Sequence, residues 1–292
     1  MKKHIASILF LFLLSTFQLI AQSHSVKRLG IEQGLSNNYV VSITQDKQGF
    51  LWFATEEGLN KFDGTRFTTY YKNDLTQDNQ GITGNELNRV YADTKHPIIW
   101  IATQRDGLNA YNYNEQTFTA YQHNPENPHS LITNDVTDIA PSTQHDDGLW
   151  ISTYYRGIEY LDITSGQFTH YNKSTVPSLP CDQTWTVLDG GDGNLYIGHV
   201  GSGFSIFSPK DKSVKNFRNE AGNPMSLPGN DVFCIIKDAN GNIWLGTNNG
   251  LALYDAANEN FITFKNNKND KYATLCSRIL SIRQLKDNRL WI

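Results

Sequence analysis

Five short stretches hold the residues best suited to bind or transform a ligand: Glu56-Glu57, Gln104-Arg105-Asp106, Tyr154-Tyr155-Arg156, His199-Val200-Gly201-Ser202 and Asn248-Asn249. Tyr and Arg suit recognition of hydroxylated or acidic molecules, because aromatic faces stack and guanidinium forks donate paired hydrogen bonds. The candidate binding set is therefore Glu56, Arg105, Asp106, Tyr154, Tyr155, Arg156, His199 and Asn248. Signals for catalysis are weaker. The neighbouring carboxylates Glu56/Glu57 and Asp146/Asp147 read as solvated turn residues, since an acid/base pair must converge on one bond from separate elements. Arg89, Arg105 and Arg156 are the arginines that could converge on a carboxylate. The chain has no phosphate-cradling glycine loop, no His-Glu-x-x-His and no Gly-x-Ser-x-Gly. Cys and His show no metal-ligand spacing, so no metal or cofactor is expected.

These variable stretches sit at equivalent places in a constant framework. Leu51-Trp52-Phe53-Ala54-Thr55 followed by Gly58-Leu59 returns around Trp100 with Gly107, Trp150 with Gly157, Tyr196 with Gly203, and Trp244 with Gly250. A sixth copy begins at Leu290-Trp291-Ile292. The anchor aromatics are 48, 50, 46, 48 and 47 residues apart, a period that marks stacked supersecondary units. In the first unit, Tyr39–Thr44, Leu51–Thr55, Leu59–Phe62 and Arg66–Tyr71 read as strands joined by Asp46–Gly49, Glu56–Gly58 and Asp63-Gly64. Each unit is thus expected to be a four-stranded antiparallel meander. Such a sheet has two apolar faces, and stacking units radially buries both, which predicts an all-β propeller of about five blades and the start of a sixth.

Several expectations follow. The first strand of each unit lies nearest the axis, and Val232–Ile236 reads as one covered on both sides. The anchor Trp wedges between blades. Asp46, Asp238 and Asp287 precede their Trp by six, six and four residues, which is not the spacing of a sialidase Asp-box. Asn38, Asn85, Asn134, Asp182 and Asn230 close the inter-blade loops and read as turn devices bonding their own backbone. The turns between second and third strands share a face with those loops, so the variable residues collect on one rim. Ser25–Leu29 is placed to supply an outer strand, and the severed sixth unit points to a fragment of a longer protein.

Of the 292 residues, 18% are charged and 12% aromatic, as in folded domains and unlike disordered chains. The net charge is −4, and no basic run suggests nucleic-acid binding. Residues 1–21 read as a signal peptide, with Lys2 and Lys3 before an apolar run and Ala21 at the cleavage point; residues 22–292 form the repeat region. Three cysteines, Cys181, Cys234 and Cys276, are too few and too odd in number for a disulfide framework, although a Cys181–Cys234 bridge between units stays open.

The first unit, with Gly34-Leu35-Ser36-Asn37-Asn38, Trp52, Thr55, Gly58-Leu59, Asp63-Gly64 and Phe67, resembles the two-component regulator propeller repeat. The likeness spans residues 25–292 and is loosest in the fourth unit, where Tyr196 replaces Trp and His199 replaces Thr. It implies the periplasmic sensor region of a hybrid histidine kinase of the Bacteroidetes type. There, N-terminal propellers precede a sandwich domain, a membrane span, a kinase and often a response regulator that acts on transcription. It also implies an oligosaccharide ligand and a homodimer in the full-length protein, with no catalysis by these residues. Two other readings remain: a secreted propeller enzyme acting on glycans, and a propeller that binds proteins without a small ligand.

Overall fold

The computed structural model describes residues 27–72, 81–264 and 278–292. The signal segment, Ser25, residues 73–80 of the first inter-blade loop, and the loop 265–276 with Cys276 lie outside the described residues.

The chain forms five four-stranded antiparallel sheets in sequential order and a two-stranded sixth. Blade 1 holds β1 (Val40–Gln45), β2 (Leu51–Thr55), β3 (Gly58–Phe62) and β4 (Phe67–Tyr70). Blade 2 holds β5 (Leu87–Ala92), β6 (Ile98–Thr103), β7 (Leu108–Asn112) and β8 (Thr117–Tyr121). Blade 3 is β9 (Val136–Pro141), β10 (Gly148–Thr153), β11 (Gly157–Asp162) and β12 (Gln167–Tyr171). Blade 4 is β13 (Thr184–Asp189), β14 (Leu195–His199), β15 (Phe204–Ser208) and β16 (Ser213–Phe217). Blade 5 is β17 (Val232–Lys237), β18 (Ile243–Thr247), β19 (Gly250–Asp255) and β20 (Asn260–Phe264), followed by β21 (Arg283–Gln284) and β22 (Leu290–Trp291). First strands pack on one another in turn, β1 on β5, β5 on β9, β9 on β13 and β13 on β17, which puts them innermost. Among the described residues the blades form an arc and not a closed ring. Lys27–Leu29 form no strand.

The cores lie between blades. Trp52 packs with Leu87, Val90, Ile99 and Ile101 of blade 2, its ring 5.6 Å from that of Tyr111. Trp100 faces Ile139, Leu149 and Ile151 of blade 3, and Trp150 faces Val187, Leu195 and Ile197 of blade 4. Tyr196 packs with Val232 and Leu245 of blade 5, and Trp244 against Ile279 and Ile282. These aromatics are the expected wedges.

Their indole N–H groups need acceptors in these apolar seams. Trp52 Nε1 donates to Asp46 Oδ2 at 2.8 Å, and the other carboxylate oxygen accepts from the Gln48 and Phe50 amides of the turn. Trp100 uses Asp93 and Trp244 uses Asp238 in the same way. Blade 3 has Ser142 at this place, so Trp150 reaches across to Asp189 of blade 4. Asp46, Asp93 and Asp238 are therefore acceptors for their wedge, whereas Asp287 bonds Arg289.

The loop-end amides do not bond their own neighbours. Asn85, Asn134, Asp182 and Asn230 reach back across the loop to the amides of Lys72, His123, Lys173 and Asn219, at 2.6 to 2.8 Å. Their carbonyls accept from Gly58, Gly107, Gly157 and Gly203, tying each loop to the turn beside it. Cys181 and Cys234 are free thiols, and burial raises the Cys234 pKa to about 12.

Candidate functional site

Each first strand carries one extra residue against its second strand. The register slips between Val40 and Ser42, Leu87 and Arg89, Val136 and Asp138, Thr184 and Thr186, and Val232 and Cys234. The unpaired residues are Val41, Asn88, Thr137, Trp185 and Phe233, each three positions after the Asn or Asp that closes the preceding loop. A bulge of this kind bends the strand and re-aims one side chain, a device common beside binding sites. Five bulges at one level place one variable side chain per blade at the inner end of the rim.

Three of these residues line a cavity of about 320 Å³: Asn88 of blade 2, Thr137 of blade 3 and Trp185 of blade 4, together with Gln104, Arg105, Asp135, Tyr154 and Tyr155. The rim turns anticipated from the sequence supply Arg105, Tyr154 and Tyr155. The Tyr154 and Tyr155 rings are 4.2 Å apart, and Tyr154 lies 6.0 Å from Trp185. Tyr155 is 53% and Trp185 36% exposed, so both offer apolar surface to a ligand. Arg105 is exposed with no ion-pair partner among the described residues.

The other anticipated residues do not line this cavity. Arg156 is exposed at the end of the same turn. Glu56 and Asn248 are exposed on blades 1 and 5, and Asn248 Oδ1 accepts from the Asp231 amide at 3.4 Å. Asp106 is a framework residue: its carbonyl accepts from Thr83 Oγ1 and Gln122 Nε2, and its carboxylate sits 3.5 Å from Lys72 Nζ. His199 is not in the rim turn at all. It ends β14, fully buried, where burial lowers its pKa to about 4. In the other blades Thr55, Thr103, Thr153 and Thr247 fill that place and cap the turn through the following glycine carbonyl. Phe233, expected under cover, is half-buried because the bulge turns it out.

The carboxylate pairs do not converge. Glu57 takes a long bond from Asn37 on the rim, whereas Asp146 and Asp147 lie on the opposite face against Lys95 and His96. Arg89 is held by Asp138 at 2.9 Å. Two roomier clefts, of about 560 and 610 Å³, lie elsewhere. The first is walled by Asp189, already bonded to Trp150 and Thr143, and the second flanks β16 and β20. The rim cavity alone combines exposed aromatic faces, an unpaired cation and bulge residues from several blades. Among the described residues no group of His, Cys, Asp and Glu could hold a metal, and no helix is long and apolar enough to cross a membrane.

Residues 34–57 and 226–249 match the family model described as Two component regulator propeller. Over 91% of its length the chain is 65% identical, with a TM-score of 0.81, to a crystal structure of the extracellular domain assigned to a hybrid two component system of B. thetaiotaomicron. A second extracellular domain from that organism, assigned to a one component system, shares the fold at 22% identity and a TM-score of 0.70. The chain spans 33% and 35% of those two structures. A 66-residue stretch, 23% of the chain, is 42% identical to Histidine kinase P4 of Formosa agariphila and covers 5% of that protein. Two stretches of the chain thus match two component regulator propeller repeats, and over nearly all its length the chain is similar to part of the extracellular domain of a hybrid two-component system.

Proposed function

We propose that this chain is the ligand-sensing propeller region of a periplasmic two-component sensor, with an oligosaccharide as ligand and transcription as the output of the whole protein. The observation that carries the reading is the rim cavity, where Arg105, Tyr154, Tyr155 and Trp185 from three blades meet. Exposed aromatic faces stack on sugar rings, and Gln104, Asn88 and Asp135 supply hydrogen-bond groups for hydroxyls. A stack of sheets is stiff, so binding would act by changing how two copies of the full-length sensor meet, not by reshaping a blade. These residues would bind and not catalyse, since no carboxylate pair faces the cavity.

Titration calorimetry of the chain against a glycan library tests this. At least one oligosaccharide should bind, and Trp185→Ala should weaken it about tenfold or more while leaving the melting temperature within a few degrees. Binding that is unchanged by Trp185→Ala, or no binding by any glycan, would overturn the assignment.

A further inference from the structure

The aromatic surface does not end at the cavity. Beyond Trp185, the ring of Phe233 lies 6.2 Å away on blade 5, and the Arg278 guanidinium carbon sits 4.8 Å over that ring. Tyr155, Tyr154, Trp185 and Phe233 thus form a continuous track across blades 3, 4 and 5, each ring edge-on to the next. Trp185 and Phe233 occupy the bulge position of their blades, so the same backbone device extends the track. By its spacing from Trp291, Leu280 holds that position in the sixth unit, and it is exposed.

Both ends of the track carry a free cation. Arg105 and Arg278 are exposed and make no ion pair among the described residues. A guanidinium stacked on an aromatic face keeps its fork of donors in the ring plane's neighbourhood, pre-set for a carboxylate or sulfate. The acidic group within the cavity, Asp135, suits a hydroxyl instead of an anion. A ligand confined to the cavity would leave Phe233 and Arg278 unused.

We propose that the ligand is an acidic oligosaccharide of at least three rings, laid from Arg105 over Trp185 and Phe233 to an anionic group on Arg278. This rests on the rim reading above and adds length and charge to it. Oligogalacturonates of one to five units and cello-oligosaccharides of the same lengths are the probes, titrated into the chain and into three variants. Affinity for the acidic series should rise about tenfold or more between two and four units, and exceed that of neutral chains of equal length. Arg278→Gln and Phe233→Ala should remove that gain and leave binding of the short acid intact, while Trp185→Ala weakens every length. If length and charge make no difference, and Arg278→Gln binds as the parent does, the extended acidic ligand is wrong while the Trp185 effect keeps the rim site. If nothing binds to the folded parent, both fall. Raising salt gives an independent reading: it should weaken the long acid more than neutral chains.

Discussion

His199 ends β14 with Nε2 2.8 Å from Ser205 Oγ and Nδ1 3.5 Å from Cys181 Sγ, fully enclosed. Burial disfavours the imidazolium and lowers the pKa from 6.5 to about 4. Between those values the unfolded chain binds a proton that the folded chain refuses. This contribution to stability is complete above pH 6.5 and is lost as pH falls, by about 3 kcal/mol at 1.36 kcal/mol per unit. Blade 3 behaves in the opposite sense. Buried Glu159 accepts from the Ile132 amide and meets His170 Nδ1 at 3.0 Å, while His170 Nε2 donates to Pro128 O at 2.9 Å. The Pro128 carbonyl can only accept, so Nε2 carries a proton, and with Glu159 ionised Nδ1 donates as well and the ring is charged. The Glu159 carboxylate raises the His170 pKa, and burial pushes the Glu159 carboxyl upward as well. The His170 contribution is complete below pH 6.5 and is lost as pH rises through its raised value, and the raised Glu159 pKa adds a loss of the same sign that begins at 4.5. In blade 1 the same places hold Asn60 and Thr69, which bond without any titrating proton. Urea unfolding between pH 4 and 9 should show stability falling on both sides of neutrality. His199→Thr should flatten the acid side, and Glu159→Asn with His170→Thr the alkaline side. Unchanged profiles in both variants would refute the two assignments.

At the scale of the strand and its turn, the same few contacts recur and set what each blade tolerates. Gly203 has φ +80° and begins the last step into β15; a Cβ there would lie 2.1 Å from the Phe217 carbonyl oxygen. Gly201, two residues earlier, has φ +73° but nothing within 4 Å of a Cβ. Gly201→Ala should therefore cost only the left-handed backbone penalty, about 1 to 2 kcal/mol. Gly203→Ala adds displacement of β16 and should cost at least twice as much in denaturant melts. Equal costs would mean that the close approach of β15 to β16 relaxes freely. The strands themselves were readable because turn residues and anchor aromatics recur at fixed spacing, and β2 (Leu51–Thr55) falls where the sequence places it. The inner half of the site was not. Strand periodicity assigns alternate faces and has no term for an inserted residue, so Phe233 reads as an ordinary member of the covered strand Val232–Ile236 and nothing singles out Trp185. The signal that could have found them is their constant offset from Asn38, Asn85, Asn134, Asp182 and Asn230. His199 was misplaced for the converse reason: it looks like a variable turn residue, but it fills a framework Thr position. Arg105, Tyr154 and Tyr155 were legible since they interrupt an otherwise constant turn.

As a whole, the molecule is a stack in which each blade packs mainly on its neighbours. Stability in such arrays is the sum of each unit and its interfaces, so position in the stack matters as much as sequence. Blades 2, 3 and 4 are covered on both sides by the clusters around Trp52, Trp100, Trp150 and Tyr196. At one end of the described arc, Tyr39 and Ile43 of blade 1 are more than half exposed. At the other, the two short strands β21 and β22 leave Trp291 67% exposed. Local opening should therefore be easiest at the ends and hardest in the middle. Native-state hydrogen exchange on this chain should show slowest exchange in β6, β10 and β14. Exchange should quicken in blades 1 and 5, and β21–β22 should be fastest. A ligand held by blades 2 to 4 alone would slow exchange mainly where it is already slow. A ligand laid along Trp185, Phe233 and Arg278 would also protect blade 5, linking the weaker end of the arc to its centre. Uniform exchange across all blades would show a single cooperative unit and would remove the premise that neighbours alone set stability.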